Sequence, residues 1–177
     1  MNLSDIELEK MTKKFQGFSY DHIRDIALIS LNTGMRKSEV LNLTWDCVNL
    51  SQNIICALNT KNGKSNFIPI NKTVKEILKT RFETKGNNKY VFTNPKTGDR
   101  YTDIHRSFYT VCKMANIENF RFHDTRHTFA SREIECNVPP PVLKDIMNHQ
   151  KIETTMRYVH NSFEQKLDAV KKLDDYS

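Results

Sequence analysis

Several short segments of this chain carry side chains that can bind an anion, move a proton or attack an electrophile. The densest of them, RFHDTRHTFAS at residues 121–131, holds two histidines, two arginines and one aspartate. If this segment is helical, His123, Arg126 and His127 lie at positions i, i+3 and i+4 and share one face. Such a face could hold an anion through the arginine, hold a metal ion through the histidines, or simply be solvated.

A second arginine lies where two predicted helices meet. Arg36 closely follows Gly34, which ends one predicted helix, and it begins the next helix. The free N-terminus of a helix offers unpaired N–H groups and a positive dipole end, so an arginine there suits an anion. Glu39, one turn later, either orients the arginines or only pairs with Arg36 on the surface.

Two lysines and a tyrosine complete the candidate set. Lys61 lies at the tip of the segment NTKNGKS, and Lys64 follows it three residues later. Near the C-terminus, MNHQKIETTMRYVH contains His149 and, nine residues on, Tyr158. Taken singly, each of these residues has an ordinary explanation as a solvated or packing side chain. Their function therefore depends on whether the fold brings them together.

Hydrophobic periodicity and turn residues predict the elements that must position these residues. An opening helix is indicated by a capping box at Ser4 and Glu7. Two apolar runs around Asn62-Gly63, in NIICALNTKNGKSNFIPI, predict a β-hairpin. The remaining segments with helical patterns are SYDHIRDIALISLNTG, RKSEVLNLTW, NKTVKEILKTRF, DIHRSFYTVCKMAN, HDTRHTFAS, VLKDIMNH, IETTMRYVH and SFEQKLDAVKKL. The pattern predicts an α+β domain that is mainly helical with one small antiparallel sheet.

Composition narrows the class of protein. The chain has 177 residues, 38% of them hydrophobic and 27% charged, which is typical of one globular domain. No apolar run approaches the roughly 20 residues of a membrane span, and MNLSDIELEK lacks the apolar core of a signal peptide. We therefore expect a soluble, cytoplasmic protein. The net charge of +6 favours a polyanionic partner, although many plain enzymes are as basic.

The cysteines do not predict a metal site or a disulfide framework. Cys47, Cys56, Cys112 and Cys136 are scattered, with no CxxC spacing among them. Reduced packing residues are the better interpretation.

In their order, spacing and local context, the candidate residues resemble the tyrosine recombinases, the phage-integrase-like family. Four segments carry the resemblance, which extends from Leu3 to about His160. TGMRKSEVLNLTW resembles the first arginine box of the family, and TKNGKSNFIPI resembles its lysine-bearing hairpin. HDTRHTFAS resembles the His-x-x-Arg box, and MNHQKIETTMRYVH resembles the last box, with its second histidine and its nucleophile.

The resemblance implies cleavage and rejoining of double-stranded DNA through a covalent 3′-phosphotyrosine, without a metal ion or other cofactor. It implies the family's catalytic fold, a helical bundle with a small antiparallel sheet. It further implies that His149 donates a hydrogen bond to the phosphate, that Glu39 supports the arginines and that Lys64 contacts the DNA backbone. The matching catalytic positions are Arg36, Lys61, His123, Arg126, His149 and Tyr158.

The residue types fit this chemistry. Arg36 and Arg126 can each place a rigid fork of donors on the non-bridging oxygens and hold the extra charge of the transition state. Tyr158 is the nucleophile, and His123 is expected to remove its proton. Lys61 would protonate the departing 5′ oxygen. Because the tyrosyl ester keeps the energy of the broken bond, rejoining needs no ATP.

Three positions need separate expectations. Asn148 precedes His149 where the family usually has glycine, and asparagine is the next best residue for a left-handed turn. Thr125 precedes Arg126 in place of the usual leucine, which predicts looser packing beneath the arginine. His127 is expected to pack structurally against the helices.

The resemblance also shapes what we expect of the whole chain and its partners. Residues 1–177 are interpreted as the catalytic domain alone, without the N-terminal core-binding domain that usually accompanies it. Other recombinase protomers on DNA are expected partners. An apolar stripe in SFEQKLDAVKKL, formed by Phe163, Leu167, Val170 and Leu173, predicts a helix that either folds back on its own domain or docks on a neighbouring protomer.

Alternative functions remain open at this stage. A DNA-binding integrase remnant without chemistry would keep the basic surface. A metal-dependent phosphohydrolase could use His123, Asp124 and His127 as ligands, although no obvious carboxylate cluster completes such a site. A topoisomerase-like relaxing activity would use the same residues as recombination.

Overall fold

The computed structural model describes residues 2–4, 6, 7, 9, 10, 21–58, 65–159, 166, 167 and 170–174. Helices dominate these residues, and a small sheet accompanies them, so the predicted α+β class is confirmed. The bounded helices are α1 Asp21–Thr33, α2 Lys37–Leu41, α3 Lys72–Glu83, α4 His105–Met114, α5 Phe122–Glu135, α6 Pro140–Ile146 and α7 Ile152–Met156. The strands are β1 Val48–Asn49, β2 Ile54–Leu58 and β3 Ser65–Pro69.

Helix α1 forms the centre of the fold. Its side chains Ile23, Ile26 and Ile29 are all completely buried, and the helix contacts α2, α3, α4 and α5. Every residue from Asp25 to Leu31 is buried, so the neighbouring elements cover the helix on nearly every side along this stretch. The end of α1 is consequently a fixed point, and Arg36 follows directly from it.

Gly34 ends α1 as the sequence predicts. Its φ of +67° lies in the left-handed region, and its N–H donates to the Ser30 carbonyl oxygen at 2.9 Å. There is also no room for a side chain, because a Cβ atom at Gly34 would lie 2.6 Å from Cδ1 of Phe129 on α5. This close approach sets α1 against α5.

The sheet is antiparallel with the order β1-β2-β3. Strands β2 and β3 pair from Ile54 opposite Pro69 to Leu58 opposite Ser65, so the predicted hairpin is confirmed. Its tip, which includes Lys61 and Lys64, lies outside the described residues. The short strand β1 was not predicted, since two residues cannot show an alternating pattern.

Other local predictions can be compared with the structure directly. Ser4 and Glu7 exchange the hydrogen bonds of a capping box, with the Ser4 N–H donating to Glu7 Oε2 at 2.8 Å. Helix α7 ends at Met156, earlier than the predicted segment, and Tyr158 lies in the turn after it. All four cysteines are free thiols, and Cys112 is buried in the core. Within the described ranges, no helix combines the length and apolar character that crossing a membrane requires.

A second, smaller apolar cluster lies beside the main core. It is formed by Phe129 and Ala130 of α5 with Leu143 and Met147 at α6, and the Tyr158 ring packs against it. This cluster joins the three segments that carry the His-x-x-Arg box, the second histidine and the tyrosine. It therefore decides how the candidate site is assembled.

Candidate active site

Helix α5 begins with a capping box that uses its aspartate. Arg121 is the N-cap residue, and its N–H donates to Asp124 Oδ2 at 2.8 Å while its guanidinium lies 3.2 Å from Oδ1. The Asp124 carboxylate is buried, and its two oxygens accept the capping hydrogen bonds at the N-terminus of the helix. Across the described part of the chain, no three His, Cys, Asp or Glu side chains gather in a group that could hold a metal ion.

Arg126 lies one turn further along α5 and is almost completely buried. Its guanidinium donates to the carbonyl oxygens of Gly34, at the end of α1, and of Met147, at the end of α6. Burial, and then the nearby charge of Arg36, lower the pKa of Arg126 to about 10, so the group stays charged at neutral pH. Arg126 therefore ties together the two segments that carry Arg36 and His149.

Arg36 is more accessible and is oriented by Glu39. Its guanidinium donates to Glu39 Oε1 at 2.8 Å, and its N–H donates to Oε2 at 2.7 Å. The Arg36 side chain keeps 42% of its surface exposed. Glu39 thus accepts hydrogen bonds from both the backbone N–H and the guanidinium of Arg36. Part of the guanidinium remains exposed and can bind an anion.

His149 is buried at the end of the turn after α6. Asn148 has a φ of +50°, which confirms the left-handed turn expected at this position. The His149 Nδ1 atom lies 2.9 Å from Thr155 Oγ1, so Nε2 is the ring nitrogen left to face a ligand. Burial, and then the charges of Arg126 and Arg36, lower the pKa of His149 to about 4. The imidazole is neutral at pH 7.

The Tyr158 hydroxyl has a partner that the sequence did not predict. It lies 2.8 Å from Nδ1 of His127, and the two rings are tilted with centroids 5.6 Å apart. Burial raises the pKa of the Tyr158 phenol above its usual 10. His127 was expected to pack against the helices, and its ring also makes a polar contact with the predicted nucleophile.

His123 lies on the exposed side of α5. Its ring meets the His127 ring edge to face, with centroids 4.7 Å apart. In this arrangement His127, and not His123, lies at the hydroxyl of Tyr158. The perpendicular packing keeps His123 in the same group of side chains, one step further from the phenol.

Thr125 does not loosen the packing beneath Arg126. Its side chain is completely buried, and its hydroxyl lies 2.6 Å from the hydroxyl of Ser30 on α1. The two hydroxyl groups also reach the carbonyl oxygens of Phe122, at 2.6 Å, and Met35, at 2.8 Å. The two hydroxyl protons are thus distributed over three hydrogen-bond contacts. These contacts connect α5 to the turn before Arg36.

The structure therefore brings four of the six predicted catalytic residues to one place. After burial, the charge of Arg36 lowers the pKa of Arg126, and the charges of both arginines lower the pKa of His149. The charge of Arg126 also works against the burial that raises the pKa of Tyr158. His123 borders this group through His127, and Lys61 lies outside the described residues. Sequence reasoning missed the active-site contacts of His127 and Thr155, because neither lies beside its partner in the chain.

The comparison with known families decides which proteins this chain belongs with. The sequence profile of the phage integrase family matches residues 2–165 of the 177. The chain belongs to the phage integrase family. Among its relatives in the family is the integrase of Salmonella phage P22, 28% identical over 168 residues that cover 86% of this chain and 42% of that protein.

Two further relatives come from different sources. The probable integrase/recombinase of Acholeplasma phage L2 is 31% identical over 149 residues, covering 82% of this chain and 51% of that protein. The tyrosine recombinase XerA of Pyrococcus horikoshii is 27% identical over 161 residues, covering 86% and 55% respectively. The chain thus spans about half the length of these members of the phage integrase family.

Solved structures show the same family fold. The catalytic domain of bacteriophage HP1 integrase has a TM-score of 0.72 and 29% identity, with 96% of this chain and 93% of that chain covered. The Tn1549 transposon integrase, solved in complex with transposon right end DNA, has a TM-score of 0.86. At 22% identity, with 98% of this chain and 66% of that chain covered, the second likeness is one of fold.

Proposed function

We propose that this protein cuts and rejoins double-stranded DNA in site-specific recombination or integration, through a 3′-phosphotyrosine formed at Tyr158. The observation that carries the proposal is the meeting of Arg36, Arg126 and His149 with the Tyr158 ring at the junction of α5 and α6. Membership of the phage integrase family, and the DNA-bound Tn1549 integrase among its structural neighbours, support the same chemistry.

The arginines supply electrostatic stabilisation. A phosphodiester repels a nucleophile through its own negative charge, and the pentavalent transition state carries more charge still. Arg126 stays charged at neutral pH, and the guanidinium of either arginine can place two parallel donors on the non-bridging oxygens. Because Glu39 and the backbone carbonyls already hold these groups, little reorganisation is needed when the charge develops.

The remaining roles concern protons and hydrogen bonds. His149, neutral and fixed by Thr155, donates from Nε2 to a phosphate oxygen. Lys61 protonates the departing 5′ oxygen, and Lys64 contacts the DNA backbone, roles that follow from the family motif. His123 is a further catalytic group on the exposed side of the site.

Domain, partners and location form part of the same proposal. Residues 1–177 make up one catalytic domain, a view supported by the 93% coverage of the HP1 integrase catalytic domain. Other recombinase protomers on DNA are its protein partners, and the C-terminal segment is the contact between them. The protein works in the cytoplasm, where a mobile element meets the chromosome.

A covalent trap tests the function. The full chain is incubated with a nicked suicide duplex taken from the ends of the element that encodes it, so that the cut product diffuses away and the phosphotyrosine accumulates. We expect an adduct that survives denaturation and that peptide mapping places on Tyr158. The Tyr158→Phe variant, which keeps the ring and loses only the hydroxyl, should form none.

Two outcomes would count against the proposal. An adduct mapped to another residue would remove the assigned nucleophile. Tight binding of the same duplex with no adduct in any strand position would instead favour a DNA-binding integrase remnant.

A further inference from the structure

The Tyr158 hydroxyl lies against the imidazole of His127. Its oxygen lies 2.8 Å from His127 Nδ1, a normal hydrogen-bond distance. Tyr158 comes from the turn after α7 and His127 from α5, and the second apolar cluster packs the Tyr158 ring in place. Two separate segments are therefore arranged so that a phenol meets a ring nitrogen.

The direction of this hydrogen bond follows from the environment. Burial raises the pKa of Tyr158, so the phenol keeps its proton and donates it. Burial, and then the neighbouring His123, lower the pKa of His127 below 6.5, so its ring is neutral at pH 7. A neutral imidazole that accepts at Nδ1 carries its own proton on Nε2. The Tyr158 hydroxyl is thus the proton donor of the hydrogen bond, and His127 Nδ1 is the acceptor.

We propose that His127 is the group that removes the phenolic proton when Tyr158 attacks the phosphodiester. The inference rests on the proposed function and names a base for it. In the forward step the Tyr158 O–H bond breaks, and Nδ1 of His127 binds the proton. The phenolic oxygen then uses its electron pair to bond to phosphorus. The bond from phosphorus to the 5′ oxygen breaks, and that oxygen takes a proton from Lys61.

The reverse step balances in the same way. A 5′ hydroxyl attacks the phosphotyrosine and returns its proton to Lys61. The phenolic oxygen leaves with its electron pair and recovers the proton from His127. One imidazole thus serves as base in cleavage and as acid in rejoining, and no proton needs to be exchanged with solvent at Tyr158.

A bound phosphodiester favours the transfer. The protein's own environment raises the pKa of Tyr158 and lowers the pKa of His127, and both shifts oppose it. A phosphate beside the pair favours the positively charged imidazolium, while Arg126 already favours the phenolate. A phosphodiester beside the pair therefore favours transfer of the phenolic proton to His127.

The location of His123 leaves it a different role. It lies on the exposed side of α5 and meets His127 edge to face at 4.7 Å between centroids. From there it can contact a bound phosphate and support the His127 ring, while the proton passes along the 2.8 Å contact to His127.

Single-turnover cleavage of the suicide duplex tests the base. His127→Asn is the informative variant, because its side-chain oxygen can accept the Tyr158 hydrogen bond but cannot take the proton at neutral pH. We expect His127→Asn and His127→Ala each to cut about 10²-fold or more slowly than the wild type. The His127 ring is only partly buried, so added imidazole should reach the space left in His127→Ala and restore much of the rate.

A second substrate separates the base from the acid. A 5′-bridging phosphorothiolate has a sulfur leaving group that departs without a proton. It should restore cleavage in a Lys61→Ala control and leave the His127 variants slow. Duplex binding and the melting temperature would be measured for each variant as controls for correct folding.

The outcomes distinguish the two proposals. If the wild type forms no adduct, the proposed function fails and the inference falls with it. If the wild type cuts and His127→Asn cuts equally fast, His127 only positions the tyrosine and the inference alone is wrong. Rescue of His123→Ala by imidazole, without rescue of His127→Ala, would likewise contradict the inference and would identify His123 as the base.

Discussion

Arg126 is a charged side chain that lies inside the protein and is stabilised there by backbone carbonyl groups. Only 4% of the residue is exposed, and its guanidinium bridges the Gly34 and Met147 carbonyl oxygens. A buried cation without partners would strongly destabilise the fold, so these contacts are what allow a charged guanidinium at this buried position. The same residue is therefore needed for the fold and for the proposed chemistry.

Replacing this arginine by lysine should separate its two contributions. Arg126→Lys keeps the charge and loses the fork, so we expect cleavage to fall by about 10²-fold or more. One ammonium cannot serve both carbonyl groups in the same geometry, so stability should also fall, by about 1–3 kcal/mol. That loss should lower the melting temperature by about 2–4 °C for each kcal/mol.

Arg36→Lys is the matched control for this measurement. Arg36 is partly exposed and pairs with Glu39, so its replacement should slow cleavage and leave the melting temperature nearly unchanged. Cleavage and thermal melting of both variants would be compared. An Arg126→Lys protein that melts and cuts like the wild type would show that neither carbonyl contact nor fork matters.

His149 should make stability depend on pH. Its pKa is lowered from 6.5 in the unfolded chain to about 4 in the folded protein, chiefly by burial and then by Arg126. Between these values the unfolded chain binds more protons, so the free energy of unfolding decreases as the pH falls through this window. His149→Gln should reduce that decrease.

Urea unfolding at several pH values between 7.5 and 4 would measure this effect. His22 and His127 also have lowered pKa values, so the variant should keep part of the dependence. Identical pH profiles for the wild type and His149→Gln would show that His149 does not titrate differently in the two states.

At the scale of the elements, left-handed turns determine where helices end and where site residues begin. Gly34 ends α1 with a φ of +67°, and Asn148 follows α6 with a φ of +50°. Arg36 comes two residues after the first turn, and His149 comes directly after the second. Arg126 holds a carbonyl group beside each turn, so the two helix ends and the site form one unit.

Gly34→Ala should disturb this unit more than a glycine replacement elsewhere. Gly98 has nearly the same φ, +68°, and no atom within 4 Å of its would-be Cβ, whereas the Gly34 Cβ would lie 2.6 Å from Phe129. Both variants carry the left-handed strain of about 1–2 kcal/mol. The contact with Phe129 should add about 1–3 kcal/mol for Gly34→Ala alone.

Melting curves of the two glycine variants would isolate that contact. Cleavage should also fall in Gly34→Ala, since the turn carries Arg36, and should stay near wild type in Gly98→Ala. Equal melting temperatures for the two would mean that Phe129 moves aside without cost.

The C-terminal segment is a second element with a testable role. Leu167, Val170 and Leu173 are between 43% and 65% exposed, whereas Phe163 lies outside the described residues. Apolar side chains that do not enter the core are available to a neighbouring protomer. We expect truncation after Ser162 to leave single-site cleavage largely intact and to abolish cooperative assembly of two DNA sites.

Gel-shift titration with one-site and two-site duplexes would show the difference. The triple variant of Leu167, Val170 and Leu173 to serine is the matched control, because it keeps the length of the chain. Unfolding of the truncated protein would instead show that the segment packs against the core of its own domain.

For the whole molecule, charge is the property that acts at long range. The chain has 27 basic and 21 acidic side chains, a net charge of +6. We expect the logarithm of the duplex binding constant to fall linearly with the logarithm of salt concentration, with a slope of about −0.9 for each phosphate neutralised. Fluorescence anisotropy on one duplex between low and moderate salt would give the slope. A nearly flat dependence would mean that few of the basic side chains contact DNA phosphates.

Much of the fold could be read from the chain because it depends on neighbours in sequence. The capping box at Ser4, the helix end at Gly34 and the left-handed Asn148 all depend on residues within a few positions. The length of α7 and the presence of β1 could not be read, since short elements exist only where the surrounding structure stabilises them.

By itself, then, the sequence determined the α+β class, most element boundaries and the residue types that suit phosphoryl transfer. Tertiary structure alone decided which of those groups touch. Thr125 meets Ser30 from 95 residues away, and Tyr158 meets His127 from 31 residues away. Such contacts are set by how the helices pack around α1 and the second apolar cluster, and no local pattern predicts which of two histidines one helical turn apart will face the tyrosine.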